Sequence, residues 1–116
     1  EQIDYINAHG TSTPVGDQIE LNTIRKFFKD IDNVTMSSTK SSIGHLLGAA
    51  GSVEAIFCLL AMQDSLIPPT LNLTESIDNL GIDLVPLKTK EKNIKYALSN
   101  SFGFGGTNAS LIFKKI

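Results

Sequence analysis

The sequence has 116 residues, of which 41% are hydrophobic, and it carries a formal net charge of −2 at pH 7. This length and composition predict one folded domain over residues 1–116 with its own core, rather than a disordered chain. A nucleic-acid partner is not expected because the sequence lacks a basic excess, and a single cysteine excludes a disulfide within the chain.

The first predicted element is a buried strand over residues 3–9, where apolar side chains occupy both faces. Asp17, followed three residues later by Glu20, is typical of a capping box and predicts a helix that starts there. A second strand is predicted over residues 34–39, and a βαβ unit implies parallel pairing with a right-handed crossover. The apolar residues at helical spacing between the strands are Leu21, Ile24, Phe27, Phe28 and Ile31.

A second helix is predicted from about His45 to Asp64, and its nearly uniform apolar character indicates that it is buried. Gly48 and Gly51 in its first half predict close packing of another backbone, because an interior glycine costs roughly 1 kcal/mol relative to alanine. The longest apolar stretch, residues 53–62, is too short to span a bilayer. We therefore expect no membrane partner, and a location in the cytoplasm or, after removal of a transit peptide, inside an organelle.

Glu54 is the only charged residue between His45 and Asp64. A buried carboxylate needs a partner, and Lys40, just before the helix, is the nearest candidate. The alternative is that the carboxylate of Glu54 is exposed to solvent. Cys58 lies in the middle of the same helix, and nothing near it in sequence would stabilise a thiolate, so we expect it to pack in the core.

A long connection is predicted after Pro68 and Pro69, followed by two strands over residues 94–100 and 109–115. The short glycine-rich loop over residues 103–108 predicts that these strands form an antiparallel hairpin. The order β-α-β-α-β-β indicates an α/β fold with a mixed sheet.

Polar loops follow three of the predicted strands, at residues 7–13, 38–45 and 100–108. Ligands of open α/β sheets bind at the carboxyl ends of the strands, and both histidines of the chain lie in these loops. Simpler interpretations stay open: the histidines could be surface groups, residues 11–13 could cap a turn, and the glycines near Phe104 could only form a tight hairpin. Two histidines without a third ligand do not make a zinc site, and no phosphate-loop pattern is present.

Three runs of sequence resemble the β-ketoacyl-acyl-carrier-protein synthases, in particular the elongation enzymes of type II. They are NAHGTST (residues 7–13), STKSSIGHLLGAAG (38–51) and NSFGFGGTNASLIF (100–113), and the match extends essentially from end to end. The resemblance implies a thiolase-like fold of two similar halves, with this chain as most of the C-terminal half. It also implies an acyltransferase that condenses malonyl-acyl-carrier-protein, with loss of CO₂, onto an enzyme-bound acyl thioester during fatty-acid elongation. The nucleophilic cysteine belongs to the N-terminal half, so this chain alone is expected to be inactive.

By position within these runs, His9 and His45 match the catalytic histidines of the family, and Lys40 matches its active-site lysine. Phe104 matches the residue whose backbone N–H completes the oxyanion hole and whose ring gates the acyl pocket. The resemblance therefore implies a Cys-His-His site of which this chain holds the two histidines.

Thr11 and Thr13 match residues that bind the phosphopantetheine arm of the substrate, and Phe102 is implied in substrate binding. The resemblance also pairs Lys40 with Glu54. No organic cofactor is implied. Members of the family often hold a monovalent cation, Na⁺ or K⁺, and the matching oxygen-bearing residues are Asn7, Glu54, Ser99 and Asn100.

The partners implied by the resemblance are acyl carrier protein, the chain's own N-terminal half and a second copy in a homodimer of the intact enzyme. A second interpretation is a non-catalytic subunit similar to chain-length factors, which share the fold and lack the cysteine. The presence of His9, His45 and Lys40 favours the enzyme. A cysteine at a strand-to-helix turn of the N-terminal half would decide between the two.

Overall fold

The computed structural model of the protein describes residues 2–28, 30–75 and 81–116. The strands are β1 (Tyr5–Asn7), β2 (Thr35–Ser37), β3 (Leu66–Ile67), β4 (Lys90–Glu91), β5 (Tyr96–Phe102) and β6 (Asn108–Lys114). The helices are α1 (Pro14–Phe27), α2 (Lys40–Ile43) and α3 (Ala50–Asp64), with 3₁₀ turns at Ile31–Asn33, Leu47–Ala49 and Phe104–Gly106. The long connection predicted after Pro69 includes residues 76–80, which lie outside the described residues.

Four strands form the main sheet in the order β2-β1-β5-β6. Strand β1 is parallel to both of its neighbours, and β6 is antiparallel to β5. The predicted parallel pair and the predicted C-terminal hairpin are therefore confirmed. The small antiparallel pair β3–β4 was not predicted, because strands of two residues are too short to show a periodic pattern.

The core lies on both faces of the sheet. Successive side chains of a strand point to opposite faces, so Tyr5 contacts the α3 side and Ile6 contacts the α1 side. Cys58 is fully buried in the α3-side cluster, which confirms its predicted place in the core. The α1-side cluster includes Leu21 and Ile24 of the predicted apolar helix face.

Helix α1 begins at Pro14, with Thr13 as its N-cap, so the predicted capping box at Asp17 is wrong. Proline suits the first helical position because the N–H that it lacks would have no partner there. The predicted apolar face is also wrong at Phe27, whose side chain is 76% exposed. The helix ends at that residue, and the extended backbone of Phe28 turns its ring into the core instead.

The second long helix begins at Ala50 rather than at His45, because a 3₁₀ turn occupies Leu47–Ala49. The expectation that it is buried all round is wrong. Glu54 and Cys58 face the core, whereas Leu47 is 77% exposed and Ile56 and Leu59 are also exposed. The physical reason is that the sheet covers one side of this helix, and no described part of the chain covers its other side.

The predicted close backbone contacts at the helix glycines are also wrong. A Cβ added at Gly48 would meet nothing within 4 Å. At Gly51 the nearest atom would be the Ser101 hydroxyl at 3.3 Å, which is a side chain. Gly51 borders the site described below, so its lack of a side chain leaves that space open.

The helical segment Leu47–Asp64, 18 residues long, is by length and composition alone sufficient to cross a membrane. The sequence analysis considered residues 53–62 alone and judged them too short to span a bilayer. The apolar segment is longer than that, because the preceding 3₁₀ turn and the glycine–alanine run belong to it. Core helices of soluble proteins satisfy the same criterion. Here Glu54, in the middle of the segment, forms a buried ion pair with Lys40, whereas 28% of the segment as a whole is buried.

Candidate active site

The loops that follow β1, β2 and β5 meet at one edge of the sheet. Because β1 is parallel to both other strands, the carboxyl ends of all three lie side by side. The ring centroids of His9 and His45 are 5.5 Å apart, with the rings at 86° to each other. The ring of Phe102 lies 5.6 Å from His9 on the side of β5. The two histidines are thus neighbours although 36 positions separate their numbers in the sequence.

These rings border an open cleft of about 680 Å³. The side chain of Phe104 is fully exposed at its rim. All the residues that the sequence analysis assigned to catalysis or substrate binding, except Lys40, are in its lining: His9, Thr11, Thr13, His45, Phe102 and Phe104. A second cleft of about 440 Å³ lies between α1 and the loop after β5, and His9, Thr11, Thr13 and Phe102 border it as well. The histidine site is therefore reached from two sides.

A backbone contact determines the tautomer of His45. Its Nδ1 accepts a hydrogen bond of 3.1 Å from the backbone N–H of Leu47. A ring nitrogen that accepts a hydrogen bond carries no proton, so in the neutral ring the proton is on Nε2. The Nε2–H group is then available to donate to an oxygen atom.

The surroundings of His9 lower the pKa of its imidazole and so favour the neutral ring. Burial lowers the pKa of its imidazole, and the positive charge of Lys40 and the nearby His45 lower this pKa further. Its Nδ1 atom is buried and has no hydrogen-bond partner within the described ranges. A neutral imidazole carries one N–H group, so each of the two histidines in its neutral form can supply one donor.

Lys40 and Glu54 form a buried ion pair beneath the loop that carries His45. Contact is between Lys40 Nζ and Glu54 Oε1, and the side chains are 5% and 2% exposed. Lys40 lies at the start of α2 and Glu54 within α3, so the pair ties this loop to the long helix. Lys40 does not border the large cleft, and it influences His9 through its charge.

Glu20 is a site residue that the sequence analysis missed. Its carboxylate accepts the backbone N–H groups of His9 at 3.1 Å and Gly10 at 3.0 Å, and also the side-chain amide of Asn100 at 3.2 Å. Burial raises the pKa of this carboxyl group. Glu20 therefore joins helix α1 to the loop after β1 and to strand β5. The available signal was an acidic residue directly before Leu21 on the apolar face of the helix, which we interpreted as part of a capping box.

The residues of the predicted cation set divide between the two faces of the sheet. Asn7 and Ser99 are partners across β1 and β5, and both contact Cys58, one helical turn after Glu54. The Oε2 atom of Glu54 is buried and has no hydrogen-bond partner in the described part of the chain. The side chain of Asn100, in contrast, bonds to Glu20 and Ser110 on the opposite face. Among the described residues there is no group of three or more His, Cys, Asp or Glu side chains that could hold a metal ion.

Comparison with known proteins gives the same family for sequence and structure. Residues 1–74 match the family described as "Beta-ketoacyl synthase, C-terminal domain". A 3-oxoacyl-[acyl-carrier-protein] synthase 2 from Rhizobium meliloti (strain 1021) is 59% identical over 114 residues, which cover 97% of this chain and 27% of that protein. The chain spans between 27% and 29% of the length of the first three curated relatives of this name.

Two solved structures show that the fold is thiolase-like, as predicted. A beta-ketoacyl synthase from Burkholderia phymatum STM815 superposes with a TM-score of 0.90 at 40% identity, covering 99% of this chain and 28% of that one. The ishigamide ketosynthase/chain length factor superposes with a TM-score of 0.92 at 36% identity, with the same coverage of 99% and 28%.

Proposed function

The chain belongs to the β-ketoacyl synthase family, and on that basis we propose that it is the C-terminal part of a 3-oxoacyl-[acyl-carrier-protein] synthase of fatty-acid elongation. The observation that carries this proposal is the pair of neighbouring histidine rings in one open cleft. The complete protein would consist of this chain and an N-terminal part that supplies the nucleophilic cysteine. An acyl group is first transferred from its carrier-protein thioester to that cysteine.

The two histidines are assigned to the decarboxylation step. The bond between the malonyl carboxylate and the adjacent carbon breaks, CO₂ leaves, and the electron pair moves into the enolate of the thioester. Negative charge then develops on the thioester oxygen, where His9 and His45 can each donate one N–H group. A preorganised donor of this kind is worth about 2.7–4 kcal/mol of activation free energy. The tautomer that the Leu47 contact imposes on His45 supports this role.

The condensation step follows when the enolate carbon attacks the carbonyl carbon of the acyl-cysteine. The carbonyl oxygen becomes negative, and we assign the backbone N–H of Phe104 to stabilise it. The cysteine thiolate then leaves, which gives a 3-oxoacyl chain two carbons longer on the carrier protein. Thr11 and Thr13, whose hydroxyl oxygens are 3.3 Å apart at the cleft, are assigned to the phosphopantetheine arm, with Phe102 beside them.

Three partners follow from this assignment. Acyl carrier protein delivers both substrates, so the complete protein is placed in the compartment of that carrier, which for a bacterial-type enzyme is the cytoplasm. The exposed apolar side of α3, formed by Ile56, Leu59 and Leu60, is assigned to contact with the N-terminal half. The complete protein is proposed to form a homodimer.

A non-catalytic subunit is the second candidate, because the ishigamide ketosynthase/chain length factor superposes so closely on this chain. The retained histidines favour the enzyme, since a subunit without chemistry has no need of two N–H donors in one cleft. The N-terminal part decides: a cysteine at a strand-to-helix turn supports the enzyme, and its absence supports the other subunit.

We expect the complete protein to form 3-oxoacyl product from malonyl- and acyl-acyl-carrier-protein, and the 116-residue chain to form none. The only thiol of the chain is fully buried, and burial raises the pKa of Cys58 to about 12, so it remains protonated and unreactive. Intact-mass spectrometry after incubation with acyl-acyl-carrier-protein measures both product and acylation. A Cys58→Ala chain is the matched control. An acyl adduct that disappears in this variant would contradict the assignment.

We also propose that Glu54, Asn7 and Ser99 hold a monovalent cation, because the unpartnered, buried Oε2 of Glu54 fits a hard cation. The bound ion would give this oxygen a partner and stabilise the fold. An ion present at 100 times its dissociation constant stabilises by about 2.7 kcal/mol. We expect a higher melting temperature in sodium or potassium chloride than in tetramethylammonium chloride of equal ionic strength, and a smaller difference for Ser99→Ala. Equal melting temperatures in the three salts would exclude the ion.

A further inference from the structure

One hydrogen bond joins the loop that carries His9 to the loop that carries His45. The hydroxyl of Ser38 donates to the backbone carbonyl of Gly10 over 2.7 Å, and Ser38 is buried. Gly10 directly follows His9, and Ser38 lies two residues before Lys40. The bond therefore connects the two segments just after the ends of β1 and β2, next to the histidine site.

Gly10 is held from both sides. Its N–H donates to Glu20 of α1 at 3.0 Å, while its carbonyl accepts from Ser38. Its φ of +33° is a backbone conformation that favours glycine, and a Cβ built there would lie 2.8 Å from the Cβ of Ser38. The close approach of the two loops therefore depends on glycine at this position.

The backbone of Ser38 is itself held in place by hydrogen bonds. Its N–H donates to the hydroxyl of Thr70 at 3.2 Å, and its carbonyl accepts the hydroxyl of Ser41 at 2.7 Å. The Ser41 oxygen in turn accepts the backbone N–H of Leu71 at 2.8 Å. The backbone of Ser38 is thus fixed to the chain segment after β3, which holds its side chain beside Gly10.

The neighbouring cross-links lie on the other face of the sheet. Tyr5 bonds to Ser37 at 3.1 Å and Asn7 to Thr39 at 3.2 Å, in the layer that contacts α3. Side chains alternate along an extended segment, so Ser38 points toward α1 instead. Removal of its hydroxyl would leave the two segments joined by the α3-face side chains and by the backbone bond from the Ala8 N–H to the Ser37 carbonyl at 2.9 Å, and the loop of His9 could then tilt.

We propose that Ser38 is a positioning residue that sets the separation of the two histidines through its bond to Gly10. This inference rests on the proposed function, because the separation matters for a thioester oxygen that both rings must reach. The distance between the ring centroids is 5.5 Å, and a misplacement of about 1 Å in an active site can cost about 100-fold in rate.

Three variants of the complete protein test the proposal. Ser38→Ala removes the hydroxyl. Ser38→Thr keeps it, and a cavity of about 80 Å³ beside Ser38 has room for the added methyl group. Ser42→Ala is the matched control, because Ser42 lies in the same loop, is exposed, and makes no side-chain hydrogen bond to the described residues.

The first measurement is the steady-state release of CO₂ from malonyl-acyl-carrier-protein. We expect Ser38→Ala to lower kcat by about 10- to 100-fold with little change in KM, as expected for an interaction that acts in the transition state. Ser38→Thr should restore most of the rate, and Ser42→Ala should match the unmodified protein. A kcat of Ser38→Ala equal to that of Ser42→Ala would overturn the proposal.

The second measurement is the crystal structure of the complete protein with Ser38→Ala, which does not depend on activity. Without the bond to Gly10 the two loops should separate, and the distance between the ring centroids of His9 and His45 should increase from 5.5 Å. An unchanged distance would overturn the positioning role. If the unmodified complete protein releases no CO₂, the proposed function fails, and the crystal structure still decides on Ser38. Should Ser38→Ala not fold, Ser38→Cys replaces the hydroxyl by a weaker donor, and a rate equal to that of the unmodified protein would overturn the role.

Discussion

In the complete protein, His9→Ala and His45→Ala should each lower malonyl decarboxylation by about 100- to 1,000-fold, while acylation of the N-terminal cysteine changes far less. The physical reason is that both rings are assigned to the malonyl thioester oxygen, on which charge develops as CO₂ leaves. The acyl oxygen, in contrast, is assigned to the backbone N–H of Phe104, which neither substitution removes. The two half-reactions should therefore separate.

Single-turnover experiments can measure the two half-reactions one at a time. Intact-mass spectrometry follows the acyl adduct on the cysteine, and CO₂ release follows decarboxylation. His45→Gln is a useful conservative variant because its amide keeps one N–H donor near the position of Nε2, so a partial rate is expected. If CO₂ release is unchanged in both alanine variants, the histidines have no role in this step.

Lys40→Ala and Glu54→Ala should each destabilise the protein by about 3–5 kcal/mol, because each leaves one charge buried without its partner. The double variant should lose less than the sum of the two single losses, since neither charge is then left unpaired. Denaturant unfolding of the four proteins forms a double-mutant cycle that isolates the coupling free energy. Lys40→Ala should also lower activity, because the pair ties the loop of His45 to α3.

A second ion pair of the chain provides the matched control. Lys90 and Asp83 are also in contact, but their side chains are 45% and 36% exposed. Exposed pairs contribute about 0–1 kcal/mol, so Lys90→Ala should have a small effect on the free energy of unfolding. If the losses from Lys40→Ala and Glu54→Ala simply add, these two residues do not stabilise each other, and the account of the buried pair is wrong.

Much of the sheet and of the site could be predicted because both depend on local patterns. A short run with apolar residues on both faces identified β1, and the glycine-rich loop after Phe102 identified the hairpin of β5 and β6. The loops that follow parallel strands lie at one edge of the sheet. For this reason the sequence alone predicted that His9 and His45 lie close together.

What the sequence did not reveal depends on contacts between distant segments. The role of Glu20 requires the His9 loop to fold back over α1, and the role of Ser38 requires Gly10 to lie against it. Neither distance follows from spacing in the sequence. The exposure of the outer side of α3 also could not be predicted, because the apolar composition of a helix does not show which layer covers it.

The central claim is that this chain carries the decarboxylation site of a condensing enzyme. The most direct test is CO₂ release from malonyl-acyl-carrier-protein by the complete protein, without an acyl donor, compared with the His9→Ala/His45→Ala double variant. The account predicts measurable release by the unmodified protein and a fall in the double variant to the uncatalysed background. Equal release by the two proteins, or no release by a folded unmodified protein, would contradict it.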